Sequence, residues 1–353
     1  MRTSGTEAQP GVTAPPTVAE HEVVRPGIFP ATAVTSSTTK SDLSTNAAGN
    51  FAGRVEQTTL AAHLRPNQQF GTITYIDSGG DSYYHALQAT ARRRFQAGLL
   101  IGATYTFGKS MDDQSVDPVG ASSGGGLSTT TSRAPTDIRN WRNERSRSDF
   151  DRTQVVTANW LFELPFGKGK RFASSVPAAL NQIVGGWSVN GIYTFMTGEP
   201  FSVRSGVRTA NFSHESRADI SGSKPQVHYQ DVAGVIGPVV FASTAGFAIP
   251  APGGDGVGRN IFVAAPYWNV DLGIAKRFPI TERIKLEFRT EMFNALNHPN
   301  FDNPRDASVG SPSFRSTVFA QTCCQTVAPP TTQTIIQTGE ASRVIQLALK
   351  LQF

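Results

Sequence analysis

Apolar and polar positions alternate along much of this chain. Between Tyr83 and Phe95 the residues Leu87, Ala89 and Ala91 alternate with Gln88, Thr90 and Arg92, the period of two that gives a β-strand one greasy face. After a turn at Gln96-Ala97-Gly98 the pattern resumes as Leu99, Ile101, Ala103, Tyr105 and Phe107 against Gly102, Thr104, Thr106 and Gly108, which predicts a hairpin. It returns with Val156, Ala158, Trp160, Phe162 and Leu164, then with Trp187, Val189, Gly191, Tyr193 and Phe195. Further on come Trp268, Val270, Leu272 and Ile274, then Ile284, Leu286, Phe288 and Met292. The chain closes on Ile345, Leu347, Leu349, Leu351 and Phe353, between which lie Gln346, Ala348, Lys350 and Gln352. About seven to ten strands are predicted, of which these seven are the clearest.

Their connections alternate in length. Shorter ones fall near 96–98, 166–185 (with a helical turn around Ala178 to Ile183) and 279–283, and long ones cover roughly 111–152, 205–266 and 297–342. Transmembrane β-barrels have this rhythm, with short turns in the periplasm and long loops outside. The segments near 83–95, 153–164, 267–278 and 343–353 then run toward the periplasm. The last of these, Arg343 to Phe353, would span about 36 Å at 3.3 Å per residue, and tilted by about 40° it would rise roughly 28 Å, close to the apolar band of such barrels. The prediction is an all-β, antiparallel transmembrane barrel. Residues 1–69, rich in Thr, Ser, Ala and Pro, read as a loop or disordered segment, and 70–353 as the barrel portion. The uncharged stretch from Val232 to Ile249 is long enough for a membrane helix, but Gly234, Gly237, Pro238 and Gly246 interrupt it and no basic anchor flanks it, so it reads as loop.

Composition agrees with a surface not wholly in water. Charged residues make up 17% of the chain and hydrophobic ones 39%, a charge content below the typical quarter. The Gly 33 and Phe 22 against Met 4 suit turns and pleated surfaces better than helices. The net charge of +5 is dispersed, and Arg92-Arg93-Arg94, its densest cluster, has no recognition-helix pattern around it, so no nucleic-acid partner is expected. Cys323 and Cys324 are sequence neighbours and read as incidental loop residues. No signal-peptide core follows Met1-Arg2, so the chain is expected to be incomplete at its N-terminus.

Candidate chemistry is weak. Gly102 to Ser110 has five residues between its glycines where a phosphate-binding loop needs four, and it alternates as a strand. Asp112, Asp113 and Asp117 lack the Gly and distal Glu of a calcium loop and read as a solvated acidic loop. The histidines His21, His63, His85, His214, His228 and His298 have no metal-ligand spacing, and no nucleophile elbow occurs. Lys285, Glu287, Arg289 and Glu291 read as alternating charges on the wet face of a barrel strand, not as an acid-base array. Tyr105, Phe107, Trp160, Trp187, Tyr193 and Phe195 are read as lipid-facing or interfacial girdle aromatics in preference to a sugar-stacking platform. No catalytic residue, cofactor or metal site is expected, and the chain is read as not an enzyme.

Several segments resemble the Oar-like TonB-dependent transporters abundant in Acidobacteria. They are Ser82-Tyr83-Tyr84-His85-Ala86-Leu87-Gln88, Tyr105 to Asp113, Gly185-Gly186-Trp187-Ser188-Val189-Asn190-Gly191, Gly258-Arg259-Asn260, Asn269-Val270-Asp271-Leu272, and Phe293-Asn294-Ala295-Leu296-Asn297-His298-Pro299-Asn300-Phe301. The likeness covers about 70 to 353. It implies an outer-membrane location in a Gram-negative-type bacterium, contact with outer-membrane lipid, and an assembly signal at Ile345, Leu347, Leu349, Leu351 and Phe353 that barrel-assembly machinery reads. Family members also carry a plug with a TonB-contacting segment and a barrel of about 22 strands, so this chain resembles the last third or so of one. Contact with the TonB complex would run only through that missing plug. Ligand contacts, to an unknown small molecule, would lie in loops 111–152 and 205–266. The alternatives are a structural, adhesive or secretion-related surface protein, and a secreted β-sandwich binding protein.

Overall fold

The computed structural model describes residues 36–56, 79–115, 136–137, 139–209, 216–231, 238–281, 283–301, 303, 313–315, 319–320 and 342–353. The seven alternating segments are seven strands: β1 (Ser82–Gln96), β2 (Leu99–Asp112), β3 (Gln154–Glu163), β4 (Trp187–Met196), β5 (Tyr267–Pro279), β6 (Lys285–Phe293) and β7 (Val344–Gln352). Each pairs antiparallel with its neighbour in sequence, giving one meandering sheet.

The register keeps one phase across all six pairings. Leu87 lies opposite Phe107, Tyr105 opposite Val156, Trp160 opposite Gly191, Val189 opposite Ile274, Phe278 opposite Leu286, and Phe288 opposite Leu349. These residues share one face. The other carries Gln88 opposite Thr106, Thr104 opposite Thr157, Asn190 opposite Gly273, and Arg277 opposite Glu287, itself opposite Lys350. A one-residue slip in any pairing would carry a strand's apolar set to the polar face, so six consistent registers define an oily wall and a wet one. The oily wall is uncovered: Leu347 and Leu349 are 68% and 67% exposed. A sandwich would pack a second sheet on that face, and among the described residues no sheet covers it.

Two glycines show how the sheet is built. The β1–β2 turn places Ala97 at φ 54° and Gly98 at φ 81°, the paired positive angles of a two-residue hairpin turn whose twist matches the strands. Gly191 faces Trp160 across β3 and β4, and a Cβ there would collide with the indole ring. On the same oily face Lys276 turns its Nζ toward the backbone carbonyls of Ile183 (3.2 Å) and Gly185 at the end of helix Ala178–Val184. The stem thus stays among apolar side chains while the charge reaches a polar boundary.

The sheet is open, with β1 and β7 each paired on one side. The expected helical turn is present as Ala178–Val184. Two differences from the sequence reading stand out. Within 1–69, taken there as loop, residues Ser37–Ser44 and Ala48–Glu56 form helices α1 and α2. The Thr- and Ser-rich α1 has little helical periodicity to read, and α2 is short and carries two glycines, which weaken a helix; tertiary docking supplies the order, with Thr39 and Ala47 buried and Gly49 N–H donating to the Arg208 carbonyl at 2.9 Å. The second difference is in the long loops, whose described residues are folded. Cys323, Cys324, Asp117, His21, His63, His214, 124–126 and 232–237 lie outside the described residues.

Candidate functional site

The described parts of the three long connections lie at the same end of the sheet and form one cap. Its core is Phe201, Val203, Ala218, Val240, Phe241, Phe247, Phe262 and Ala320, with Phe314 and Phe319 against it. Ring centroids of Phe241 lie 5.1 Å from both Phe247 and Phe262 in edge-to-face geometry, the arrangement that the ring quadrupole favours. Two short strand pairs, Pro200–Phe201 with Phe262–Val263 and Asp219–Ile220 with Phe247–Ala248, frame it. The described part of the apolar run 232–249 supplies Val240, Phe241 and Phe247 to this core, and among the described residues no helix is long and apolar enough to cross a membrane.

Buried ions tie the cap to the rim. Arg217 donates from Nη1 to Glu144 Oε1 and Oε2 (2.8 and 2.9 Å) and to Thr136 Oγ1 (2.7 Å), from Nη2 to the Asn143 carbonyl (3.1 Å), and from Nε to the Val257 carbonyl (2.6 Å). Glu144 also accepts the Thr136 N–H at 2.9 Å. Arg259 pairs with Asp112 and with Asp149 (3.0 Å), and donates to the Glu144 carbonyl at 2.9 Å. Asp112 is 4% exposed, which corrects its reading as part of a solvated acidic loop: β2 runs on through Asp112, and the strand Ser146–Arg147 pairs with it there. Charges desolvated this far need partners and hydrogen bonds together. Beside them, the Arg139 guanidinium holds the Asp137 carboxyl below its usual range.

The segments Gly258-Arg259-Asn260, Asn269-Val270-Asp271-Leu272 and Phe293 to Phe301 are the parts that fasten loops to strands. Asn260, at φ 58°, donates from Nδ2 to the Arg147 carbonyl (2.7 Å) and to Asp149 Oδ1 (2.6 Å). Asp271 Oδ1 accepts the Asn294 N–H at 2.9 Å, and the Ala295 N–H reaches the Val270 carbonyl at 2.8 Å. Asn300 brackets Trp268 at both its N–H and its carbonyl. His298 stacks on Trp268 at 3.8 Å, and burial pushes its pKa down.

A family described as an outer membrane beta barrel domain matches residues 29–346. The chain belongs to this family. The matched stretch starts in the segment that contains α1 and α2 and runs into β7. No curated protein and no solved structure matches the chain.

As an outer-membrane β-barrel domain, the protein is oriented with the short turns at the periplasm and the cap outside. Tyr105, Phe107, Trp160, Trp187, Tyr193 and Phe195 all lie on the oily face, on β2, β3 and β4. Ile345, Leu347, Leu349 and Leu351 share that face at the sheet's edge, and Phe353 follows them, 97% exposed. The two groups are not brought together into one site. Among the described residues no cluster of His, Cys, Asp or Glu could hold a metal. A hollow at the cap's base, between Arg152, Glu199, Tyr267 and Phe301, has room for little more than a water molecule. Sequence reasoning missed Glu144, Arg217 and the Phe core; Arg259 alone was signalled, through its Gly-Arg-Asn context.

Proposed function

We propose that this chain supplies barrel wall and ligand-facing external loops of an Oar-like TonB-dependent transporter, taking up a small ligand without enzymatic chemistry. The observation that carries this is the cap: two loops folded on one phenylalanine core, with the third pinned to them by buried ion pairs, over the rim of a sheet whose inner face is polar and charged. A prearranged polar surface above a wet wall suits capture from outside followed by passage inward. Strand direction calls for further strands. β1 and β7 run the same way, since six antiparallel pairings separate them, so all-antiparallel closure takes an odd number of strands beyond these seven. An unpaired edge cannot remain in lipid, because each orphaned backbone group there costs several kcal/mol.

On this reading, barrel-assembly machinery engages the β7 edge and the alternate residues Ile345, Leu347, Leu349, Leu351 and Phe353. Contact with the TonB complex runs through a plug. The genomic DNA around the coding sequence tests the proposal: it is expected to encode, in frame and upstream, a plug and a TonB-contacting segment. An in-frame stop codon directly before Met1 would refute transport and leave the structural or adhesive surface role, which the tightly packed cap also suits.

A further inference from the structure

The periplasmic turn between β3 and β4, residues 164–186, contains Lys168, Lys170 and Arg171 and no acidic residue. Around these cations lie exposed apolar groups. Phe166 and Phe172 face each other with ring centroids 5.6 Å apart, and Leu180 and Ile183 project from the helix Ala178–Val184. The turn is held in shape: Lys168 N–H donates to Asn181 Oδ1 (2.7 Å), Gln182 Nε2 to the Pro279 carbonyl (3.1 Å), and Trp187 Nε1 to the Ile183 carbonyl (2.9 Å). Lys170 pairs with Glu163 at 3.1 Å, while Lys168 and Arg171 have no carboxylate partner among the described residues. Arg171 sits 5.5 Å from the Phe172 ring centre. Oily side chains beside unpaired cations are costly in bulk water and suited to a boundary between hydrocarbon and phosphate.

The neighbouring turns repeat the composition. Phe95 follows Arg93-Arg94, Ile280 precedes Arg283, and Phe353 lies near Lys350, each apolar group exposed. Over 93–99, 163–187, 276–287 and 350–353, ten Lys and Arg stand against three Glu, whereas the whole chain has 32 against 27. This end therefore carries a larger positive excess than the entire molecule's +5. A cationic rim set at the depth of apolar anchors is complementary to an anionic bilayer surface.

We propose that this rim, centred on Lys168, Arg171, Phe166 and Phe172, is a docking surface for anionic phospholipid headgroups of the periplasmic leaflet. The guanidinium and ammonium donate to phosphate oxygens, and the phenyl rings seat beside the glycerol and upper acyl chain. This rests on the barrel's orientation and not on the transport reading. Each basic residue at such a surface is worth roughly a fivefold gain in lipid preference, so neutralising three should lower it roughly 100-fold.

The test uses the full chain in phosphatidylethanolamine vesicles containing about 20% phosphatidylglycerol, with tryptophan quenching by brominated forms of either lipid as the readout. Trp187, bonded to Ile183 in this turn, is the reporter, with Trp141, Trp160 and Trp268 replaced by Phe in every variant. Preferential quenching by brominated phosphatidylglycerol is expected, lost in Lys168→Gln/Lys170→Gln/Arg171→Gln and kept in the external-end control Lys109→Gln/Arg142→Gln. Should the triple variant not fold, the wild-type preference must still collapse at about 0.5 M salt, where screening is short-ranged. Equal quenching by both lipids, a preference that survives salt, or one lost equally in the control would overturn the proposal; equal quenching with retained folding would point to a protein partner at this rim.

Discussion

Replacing Arg217 by Ala tests whether the external cap is held by its buried ion pair. The side chains of Arg217 and Glu144 are 3% and 6% exposed, and the guanidinium supplies five hydrogen bonds to four residues on two loops. Truncation leaves the Glu144 carboxylate buried with only the Thr136 N–H and its surroundings to stabilise it, and leaves the Asn143 and Val257 carbonyls without their donor. Breaking a buried pair in this way costs about 3–5 kcal/mol. Because about 1.4 kcal/mol is a factor of ten, amide exchange at Asn143–Ser146 and Val257–Asn260 should accelerate roughly 100- to 3,000-fold, while exchange in β3 and β4 stays as it was. The double variant Arg217→Met/Glu144→Leu removes both charges and should recover most of that loss, since a well-packed apolar pair of similar volume is about as stable as a buried ion pair. If Arg217→Ala leaves loop exchange unchanged, or if the double variant costs as much as the two single ones together, the cap is not held by this pair.

Other consequences follow from face, packing and protonation. Leu349→Arg puts a charge at the middle of the oily face and should cost about 2–4 kcal/mol of folding stability in lipid, whereas Gln346→Arg, on the wet face opposite Glu291, should be nearly neutral; equal losses in a urea titration of bilayer-folded protein would contradict the assigned faces. Gly191→Val drives a side chain into Trp160 and should cost about 1–3 kcal/mol, most of it regained in Gly191→Val/Trp160→Ala; heat-modified gel mobility reads both, and no recovery in the double variant would rule out this clash. His298 has its pKa pushed below 6.5, chiefly by burial, so the unfolded loop binds more protons than the folded one as pH falls below that value. Exchange protection of 294–300 should therefore be flat above pH 6.5, fall below it, and become flat in His298→Gln; protection unchanged down to the acid limb of the wild type would refute this.

The barrel wall was legible because lipid imposes a rule that short segments can express. With no water to satisfy backbone groups, the chain must cross as paired strands, and with oil outside and solvent inside, every strand must alternate. Val189, Gly191, Tyr193 and Phe195 declare their face without reference to any other strand, and the open turn Ala97-Gly98 declares its hairpin. Lys276 is the instructive exception. It occupies an oily-face position between Ile274 and Phe278, and only the carbonyls of Ile183 and Gly185, some 90 residues earlier in the chain, explain it.

The cap was illegible for the converse reason: its determinants are pairwise and distant. Arg217 and Glu144 are 73 residues apart, and Arg259 and Asp112 are 147 apart, so no local window distinguishes them from the solvated charges common in loops. The phenylalanines misled in the same way. Their abundance reads as strand propensity, yet Phe201, Phe241, Phe247, Phe262, Phe314 and Phe319 gather outside the barrel strands in the cap core. A loop that must hold a defined surface in water needs its own dry interior to offset the entropy of ordering it, and six rings from two of the long connections supply one. Asp112 marks where the two regimes meet: it ends β2 and, through Arg259, begins the cap, so a residue that local sequence assigns to a wet loop is buried at the hinge between the wall and the surface above it.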